Sequence, residues 1–494
     1  MRGGAQQIGL DSRTWWQTAI VTLLLLWPLV LFGHPGYFND SLSYYRGGKF
    51  AVGYVLSKGH MATYAVPQAV GTAQAQTGAA TAPGSQTSAT HAAPAGDAKG
   101  ARSVFYSVLT YLLSWPGASL SALALLQAAS CAFVMLIAGR VLARDGPSLY
   151  PAAITAFVTP AAIFCCYAMP DIFAGILVLC IVILALGFAA LSLAARVAIG
   201  LLAIAAIAFH ASHVPLAIAM VPIALAMHFY VARPSLRAAL LLGGALLCCI
   251  VLAIAATMAA SWVGYGQASI AAKRFPLTLA RSIEDGPARW YLQEECKRPR
   301  YAVCEIYGTD LPVSAGAFLW GPTGLDERAT PAQLERVRAE EQAIVLRAAL
   351  RYPGQQASSI AVNLMRQLVS FSSIDVRFDW RIVETDGKLD FATGTASRRP
   401  LAVAINWIAT ILASAVALFV LLVRFRRADR VERAATVLLL ASLILNAAIC
   451  AIFSGVADRY QARAIWILPF AAMVLASRPS IAVRGRRAVH ANVG

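Results

Sequence analysis

AALLLGGALLCCIVLAIAATMAA, residues 238–260, runs for 23 positions without a charged side chain. Coiled as a helix at 1.5 Å per residue it reaches about 35 Å, enough to cross a hydrocarbon core of about 30 Å. Comparable blocks lie at residues 18–32, 118–138, 172–193, 401–423 and 435–453, with shorter or interrupted ones at 150–167, 198–209, 214–231 and 464–475. Each block is continuous rather than alternating, which predicts helices that satisfy their own backbone in lipid and argues against a barrel. The expectation is an all-α polytopic membrane protein with about ten transmembrane helices.

Composition agrees. Hydrophobic residues make up 59% of the 494 positions and charged ones 13%, against about 45–50% and 25% in soluble chains. The net charge of +17 would point to nucleic acid in a soluble protein, but no basic stretch is interleaved with aromatics on a folded domain. The arginines instead fall in connections that ten spans place on one side: Arg2, Arg13, Arg140, Arg144, Arg196, Arg233, Arg237, the group from Arg424 to Arg433, and Arg478 to Arg487. That positive-inside bias predicts a bacterial inner membrane protein with both termini cytoplasmic. The first block ends at Gly33-His34-Pro35 without an A-x-A-like site, so it is expected to be a retained span and not a cleaved signal.

The division that follows is a cytoplasmic start and first span (1–33), an extracytoplasmic loop (34–117), a transmembrane bundle (118–260), an extracytoplasmic cap (261–399), C-terminal spans (400–477) and a basic cytoplasmic tail (478–494). Within the first loop, residues 34–68 read as ordered, whereas 70–101 are Ala, Thr, Ser, Gly and Gln with almost nothing to bury, a flexible insertion. Order is expected to resume at Arg102, and SVFYSVLTYLLSW (103–115) is apolar, aromatic and too short to span, as an interfacial helix would be. In the cap, residues 331–352 and 356–371 read as helices, the first opened by Pro331 and closed by Pro353-Gly354. A small, mainly helical cap is expected. No internal repeat, Walker loop or dinucleotide fingerprint occurs.

Of nine cysteines, seven lie in apolar blocks, where the residue acts as a small hydrophobe. Cys296 and Cys304 lie in the large loop, on the oxidising side, and their short separation predicts a disulfide, with two free thiols as the alternative. They have no second Cys/His pair beside them to make a zinc site.

Candidate chemistry gathers at turns that the topology assigns to the outer side. Asp40, in HPGYFNDSLSYYR with Arg46 and Lys49 close behind, is placed to take a proton from an acceptor hydroxyl while the cations hold a phosphate. The same aspartate would serve as an N-cap. Asp171, in Tyr167-Ala-Met-Pro-Asp, could share a divalent metal (Mg or Mn) with Asp40 or divide base and orienting roles with it, or simply open the next helix. His210 and His213, spaced i, i+3 in FHASHVP, suit phosphate or metal contact, or helix capping. Arg459, Tyr460 and Arg463 in DRYQAR run against the charge bias of an outer turn; a lipid-linked phosphate would compensate their placement, as would pairing with Asp458 or snorkelling to headgroups.

This arrangement resembles the GT-C class of integral membrane glycosyltransferases: an aspartate after the first span (Asp40 in FNDSLSYY), a surface helix before the second (103–115), a Met-Pro-Asp turn opening a later span (Asp171) and an outer cap. The resemblance implies a polyprenyl-phosphate sugar donor, an envelope glycan or lipid acceptor, Asp40 as general base, and Arg459 or Arg463 as phosphate clamps. Asp40 is preceded by Asn39 rather than a second acidic residue, and the insertion at 70–101 departs from the compact family loop. The rival expectations are a transporter or flippase of a lipid-linked envelope precursor, and a non-catalytic membrane assembly factor. The first of these usually places ionisable groups near the midplane.

Overall fold

A computed structural model of the chain describes residues 7–56, 102–114, 119–143, 148–298, 300–385, 388–393 and 399–478. The expected insertion at 70–101 and the basic tail beyond 478 lie outside the described residues. The protein is mostly helical, and six helices among the described residues are long and apolar enough to cross a membrane.

The first of these is α1 (Ser12–Leu25) continued by α2 (Trp27–Phe32), which stops at Gly33 in a left-handed conformation. Asp11 caps α1 through the Thr14 amide, and Arg140 lies 3.3 Å from the same carboxylate. Helix α3 (Asn39–Leu56) packs against α4 (Val104–Leu112). The contact is made at Gly48, where an added Cβ would stand 2.0 Å from the Ser107 carbonyl oxygen, so only glycine permits it. The segment expected to lie as a surface helix is therefore one arm of a helical pair, with Tyr106 wholly buried.

Next come α5 (Ser121–Ala143), α6 (Leu149–Val158), α7 (Ala161–Cys165), α8 (Ile172–Gly187) and α9 (Leu193–Phe209), then α10 (His213–Ala232) and α11 (Leu236–Tyr265). The block expected as one interrupted span at 150–167 is two short helices broken at Thr159-Pro160. Helix α8 is the centre of the bundle: 15 of its 16 residues are buried, which explains why it is apolar on every side. By contrast α11 leaves Leu240, Leu241, Leu247 and Val251 exposed, the surface a lipid-facing helix presents.

The cap holds α12 (Leu277–Asp285), α13 (Pro287–Glu295), α14 (Ala302–Tyr307), α15 (Ala315–Leu319), α16 (Leu325–Arg328), α17 (Pro331–Arg351) and α18 (Pro353–Val369). It has its own apolar core, including Leu279, Ile283, Leu292, Phe318, Val337 and Ile344. Thr330 and Gln333 form a reciprocal capping box at the start of α17. Two neighbouring carboxylates on α17 then cap other helices: Glu341 accepts from the Thr278 and Leu279 amides at 2.8 and 3.1 Å, and Glu340 from the Ala302 amide at 2.8 Å. Cys296 and Cys304 are bridged.

The cap departs from an all-α expectation in one place. Strands β1 (Trp380–Thr385) and β2 (Lys388–Thr393) form an antiparallel hairpin, in register from Trp380 opposite Thr393 to Thr385 opposite Lys388. The chain closes with α19 (Arg399–Phe425), α20 (Arg430–Phe453), α21 (Arg459–Ile465) and α22 (Ile467–Ala476). At the end opposite the cap, Arg478 lies 3.0 Å from Asp429 and 3.2 Å from Glu432, tying the end of α22 to the start of α20.

Two outcomes are expected for the cap. Replacing Cys296 and Cys304 by serine should destabilise it by about 2–3 kcal/mol, seen as faster protease cleavage within 287–351; unchanged cleavage would show that the helical core suffices. Burial raises the Glu335 carboxyl, but donors from Gln267, Lys273 and Arg338 outweigh it and hold the group down from 4.5 to about 2. A depressed folded value means that this stabilisation is complete above the ordinary carboxylate range and fades as pH falls from about 4.5 towards 2. Glu335→Gln should therefore lower protease resistance most near neutrality and least towards pH 2, which flattens the acid limb of the profile.

Candidate functional site

The segment between the first span and α3 is held by backbone on both sides. Gly36 donates to the Cys166 carbonyl at 2.8 Å and accepts from the Ala168 amide at 2.9 Å, while Tyr37 exchanges hydrogen bonds with Arg377 at 2.8 and 3.1 Å. A Cβ at Gly36 would stand 2.5 Å from Val376 Cγ1, so glycine is required where the three segments meet. Beneath this ladder, Gln127 of α5 donates to the carbonyls of Cys165 and Tyr167 at 2.9 and 2.8 Å and accepts from the Tyr106 hydroxyl at 2.8 Å. Asp40, three residues past Tyr37, and Asp171, four past Tyr167, are thereby brought to the same region.

Asp40 sits in the first turn of α3 and is not an N-cap residue. Its Oδ1 accepts from Arg102 Nη2 at 2.5 Å, and the two side chains are 22% and 24% exposed. Arg102 precedes α4, whose capping Ser103 also donates to the Ala208 carbonyl at 2.7 Å, next to His210. Asp171 is different. Only 2% exposed, it faces Arg463 at 3.7 Å, and Arg463 is 1% exposed. Asp171 was expected at an outer rim beside Asp40; it is instead enclosed, because α8 is the innermost helix and carries its own N-terminus inside the bundle.

Arg463 projects from α21. Its Nη2 donates to Ser212 Oγ and Asn446 Oδ1, both at 3.1 Å, and reaches Cys450 Sγ at 3.3 Å. Trp466 donates to the Arg463 carbonyl at 2.9 Å and packs where Gly175 leaves room, an added Cβ there being 2.6 Å from the indole. Arg463 thus pairs with Asp171 and not with Asp458, one of the alternatives open from sequence. Arg459, one turn earlier, stacks on Phe38 at 4.0 Å and Tyr460 at 5.1 Å, and Tyr460 shares a hydrogen bond with Ser454 at 2.8 Å. Asp171 lies within electrostatic range of Arg459, Arg463 and Asp40.

His210 and His213 stand with ring centroids 5.2 Å apart. His210 Nδ1 meets Ser212 Oγ at 2.8 Å, and His213 Nδ1 meets the Ala206 carbonyl at 2.6 Å, which leaves His213 Nε2 aimed elsewhere. Arg46 lies within electrostatic range of Asp390 of the hairpin, and Lys49 follows it one turn along α3. Asp40, Asp171, His210, His213, Arg459, Tyr460 and Arg463 therefore converge, joined by Arg102, Tyr167, Ser212 and Asn446, which sequence reasoning did not single out. Arg102 had a usable signal, being the first charged residue where order resumes after the low-complexity stretch. Ser212 and Asn446 had none.

The cluster is short of partners. Asp171 Oδ2, Arg463 Nε and Nη1, Arg459 Nη1, His213 Nε2, Tyr167 Oη and Arg102 Nε are all buried without a hydrogen bond. Tyr167 and Arg459 face each other closely enough to interact, but the geometry falls short of a bond. Each such atom costs about 1–3 kcal/mol where it finds no partner, so this many together suit a polar guest. Three arginines against two aspartates leave an excess of positive charge, which suits an anion. A metal does not suit it: each carboxylate is engaged by a guanidinium, and among the described residues no group of three or more His, Cys, Asp or Glu could hold an ion. A small gap among α8, α9, α10 and α11, lined by Leu177, Ile181, Ile207, Val221, Leu246 and Ile250, offers no charge.

Comparison with protein-family models, with curated proteins and with solved structures finds no match to this chain. Asp171→Ala is expected to destabilise the bundle by about 3–5 kcal/mol, because it strands a buried guanidinium. Adding Arg463→Met should restore part of that loss in a detergent melting experiment; a double variant as unstable as the sum of both singles would show the pair to be uncoupled.

Proposed function

We propose that the protein is a membrane glycosyltransferase that moves a sugar from a polyprenyl-phosphate carrier to an envelope acceptor, in a bacterial inner membrane, with ten crossings, cytoplasmic termini and the cap outside. The observation that carries this reading is the pairing of an accessible carboxylate, Asp40, with a buried, cation-rich cluster short of acceptors.

In this reading the two aspartates part company. Asp40 is reachable, so it takes the proton of the acceptor hydroxyl, with Arg102 fixing the direction of its carboxylate. The acceptor oxygen bonds to the anomeric carbon, and the bond from that carbon to the phosphate oxygen breaks, its electron pair leaving with the polyprenyl phosphate. Arg459 and Arg463 stabilise the charge that develops on the leaving phosphate, which strengthens through the transition state. Asp171 is enclosed, and acts as a positioning residue that holds Arg463. His213 Nε2 and the Tyr167 hydroxyl complete the polar lining.

A second reading, passage of a lipid-linked precursor, gains from the Asp171–Arg463 pair, because ionisable pairs inside a bundle often line pathways. The Asp40 carboxylate distinguishes the two. Asp40→Asn should lower sugar transfer from synthetic polyprenyl-phosphate donors in isolated membranes by about 10²–10⁴-fold, with insertion and abundance unchanged. Full transfer by a correctly inserted variant would sink the mechanism.

A further inference from the structure

Helix α18 is built inside out. Its buried side chains are Asn363 and Gln367, 4% and 0% exposed, whereas Val362, Met365 and Val369 are 45%, 64% and 72% exposed. These three are spaced i, i+3, i+7 and so share one stripe on the outward side. The buried polar groups are satisfied: Asn363 donates to Asp285 at 3.0 Å, and Gln367 exchanges two hydrogen bonds of 2.9 Å with the backbone of Ala457. A helix that turns its amides inward and its aliphatics outward is ordered for an apolar surrounding.

The surroundings identify that medium. Helix α18 packs along α20, one of the six candidate spans, and Gln367 fastens it to Ala457, just beyond the end of that span. The outward stripe therefore belongs to a helix that lies directly beside a candidate span. Before Val362 the same side carries Gln355 and Ser358, so the apolar character belongs to the C-terminal half, and Ile374, 63% exposed, extends it past the helix. Arg366, exposed between the apolar positions, has a stem long enough to bring its charge to phosphate headgroups.

We infer that the C-terminal half of α18 is a membrane-binding element of the cap, its Val362, Met365 and Val369 stripe lying against the acyl chains of the adjoining leaflet. This does not depend on the glycosyltransferase reading. Interfacial helices of this kind bury their apolar side about 5–10 Å below the headgroups.

The full chain carrying Cys248→Ser, which removes the one exposed free thiol among the described residues, would be given Met365→Cys, Val369→Cys or, as a control, Gln355→Cys. Each would be labelled with an environment-sensitive fluorophore and placed in phosphatidylethanolamine–phosphatidylglycerol vesicles. Labels at 365 and 369 should emit to the blue, lose intensity several-fold when the lipid chains are brominated near the headgroup, and resist aqueous iodide; the label at 355 should do the reverse. Iodide quenching at 365 and 369 would overturn the inference. So would protection from both quenchers, which would mean that another protein surface covers the stripe.

Discussion

The Asp171–Arg463 pair is the constraint around which the rest of the protein is arranged. Two charges lie 3.7 Å apart with almost no exposure, on helices separated by nearly the whole bundle in sequence. Such a pair tolerates its desolvation only if its neighbours are placed well. Ser212 and Asn446 take one guanidinium nitrogen, Trp466 fixes the backbone behind it, and Gly175 makes space for the indole. What these leave unsatisfied is as telling as what they satisfy, because Arg463 Nε and Nη1, Arg459 Nη1, His213 Nε2 and Tyr167 Oη stand in one cluster. Under the proposed function, stability and chemistry draw on the same charges, so substitutions at this pair are poor tests of chemistry, whereas Asp40 at the margin is a good one.

The membrane character was plain in the sequence because it rests on local properties. Uncharged blocks of helical length need no tertiary information to be recognised, and residues 238–260 fall inside a single 30-residue helix. The cap helices at 331–351 and 353–369 were legible through Pro331, Pro353 and the polar spacing between them. The disulfide followed from two cysteines left outside the apolar blocks. At Thr159-Pro160 the run of hydrophobic residues on both sides masked the break and restart that the proline signals.

Other features depend on partners remote in the chain. The hairpin at 380–393 was missed although Asp386-Gly387 is a strong turn signal, because the strands are short and only half apolar; their reason for existing is the packing of Phe391 on Trp380 and Tyr37. The enclosure of Asp171 was equally hidden. A Met-Pro-Asp turn reads as a surface feature, and nothing nearby reveals that α8 is surrounded on every side. Among the candidate residues the aspartates and arginines were legible by being out of place in apolar sequence, while Arg46 was drawn in by proximity to Asp40 and lies within electrostatic range of Asp390 in the hairpin.

The ladder at Gly36 and Tyr37 joins a segment made early in synthesis to Cys166, Ala168 and Arg377. Ribosomes add about 5–20 residues per second, so the first loop waits tens of seconds for its last backbone partner, and Asp171 waits nearly as long for Arg463. During that interval the nascent helices sit in the bilayer with a lone carboxylate among them. Insertion of this protein is therefore a process in which α21, near the end of the chain, neutralises an earlier helix, and a chain cut short before α21 would reach the membrane without being able to finish folding there.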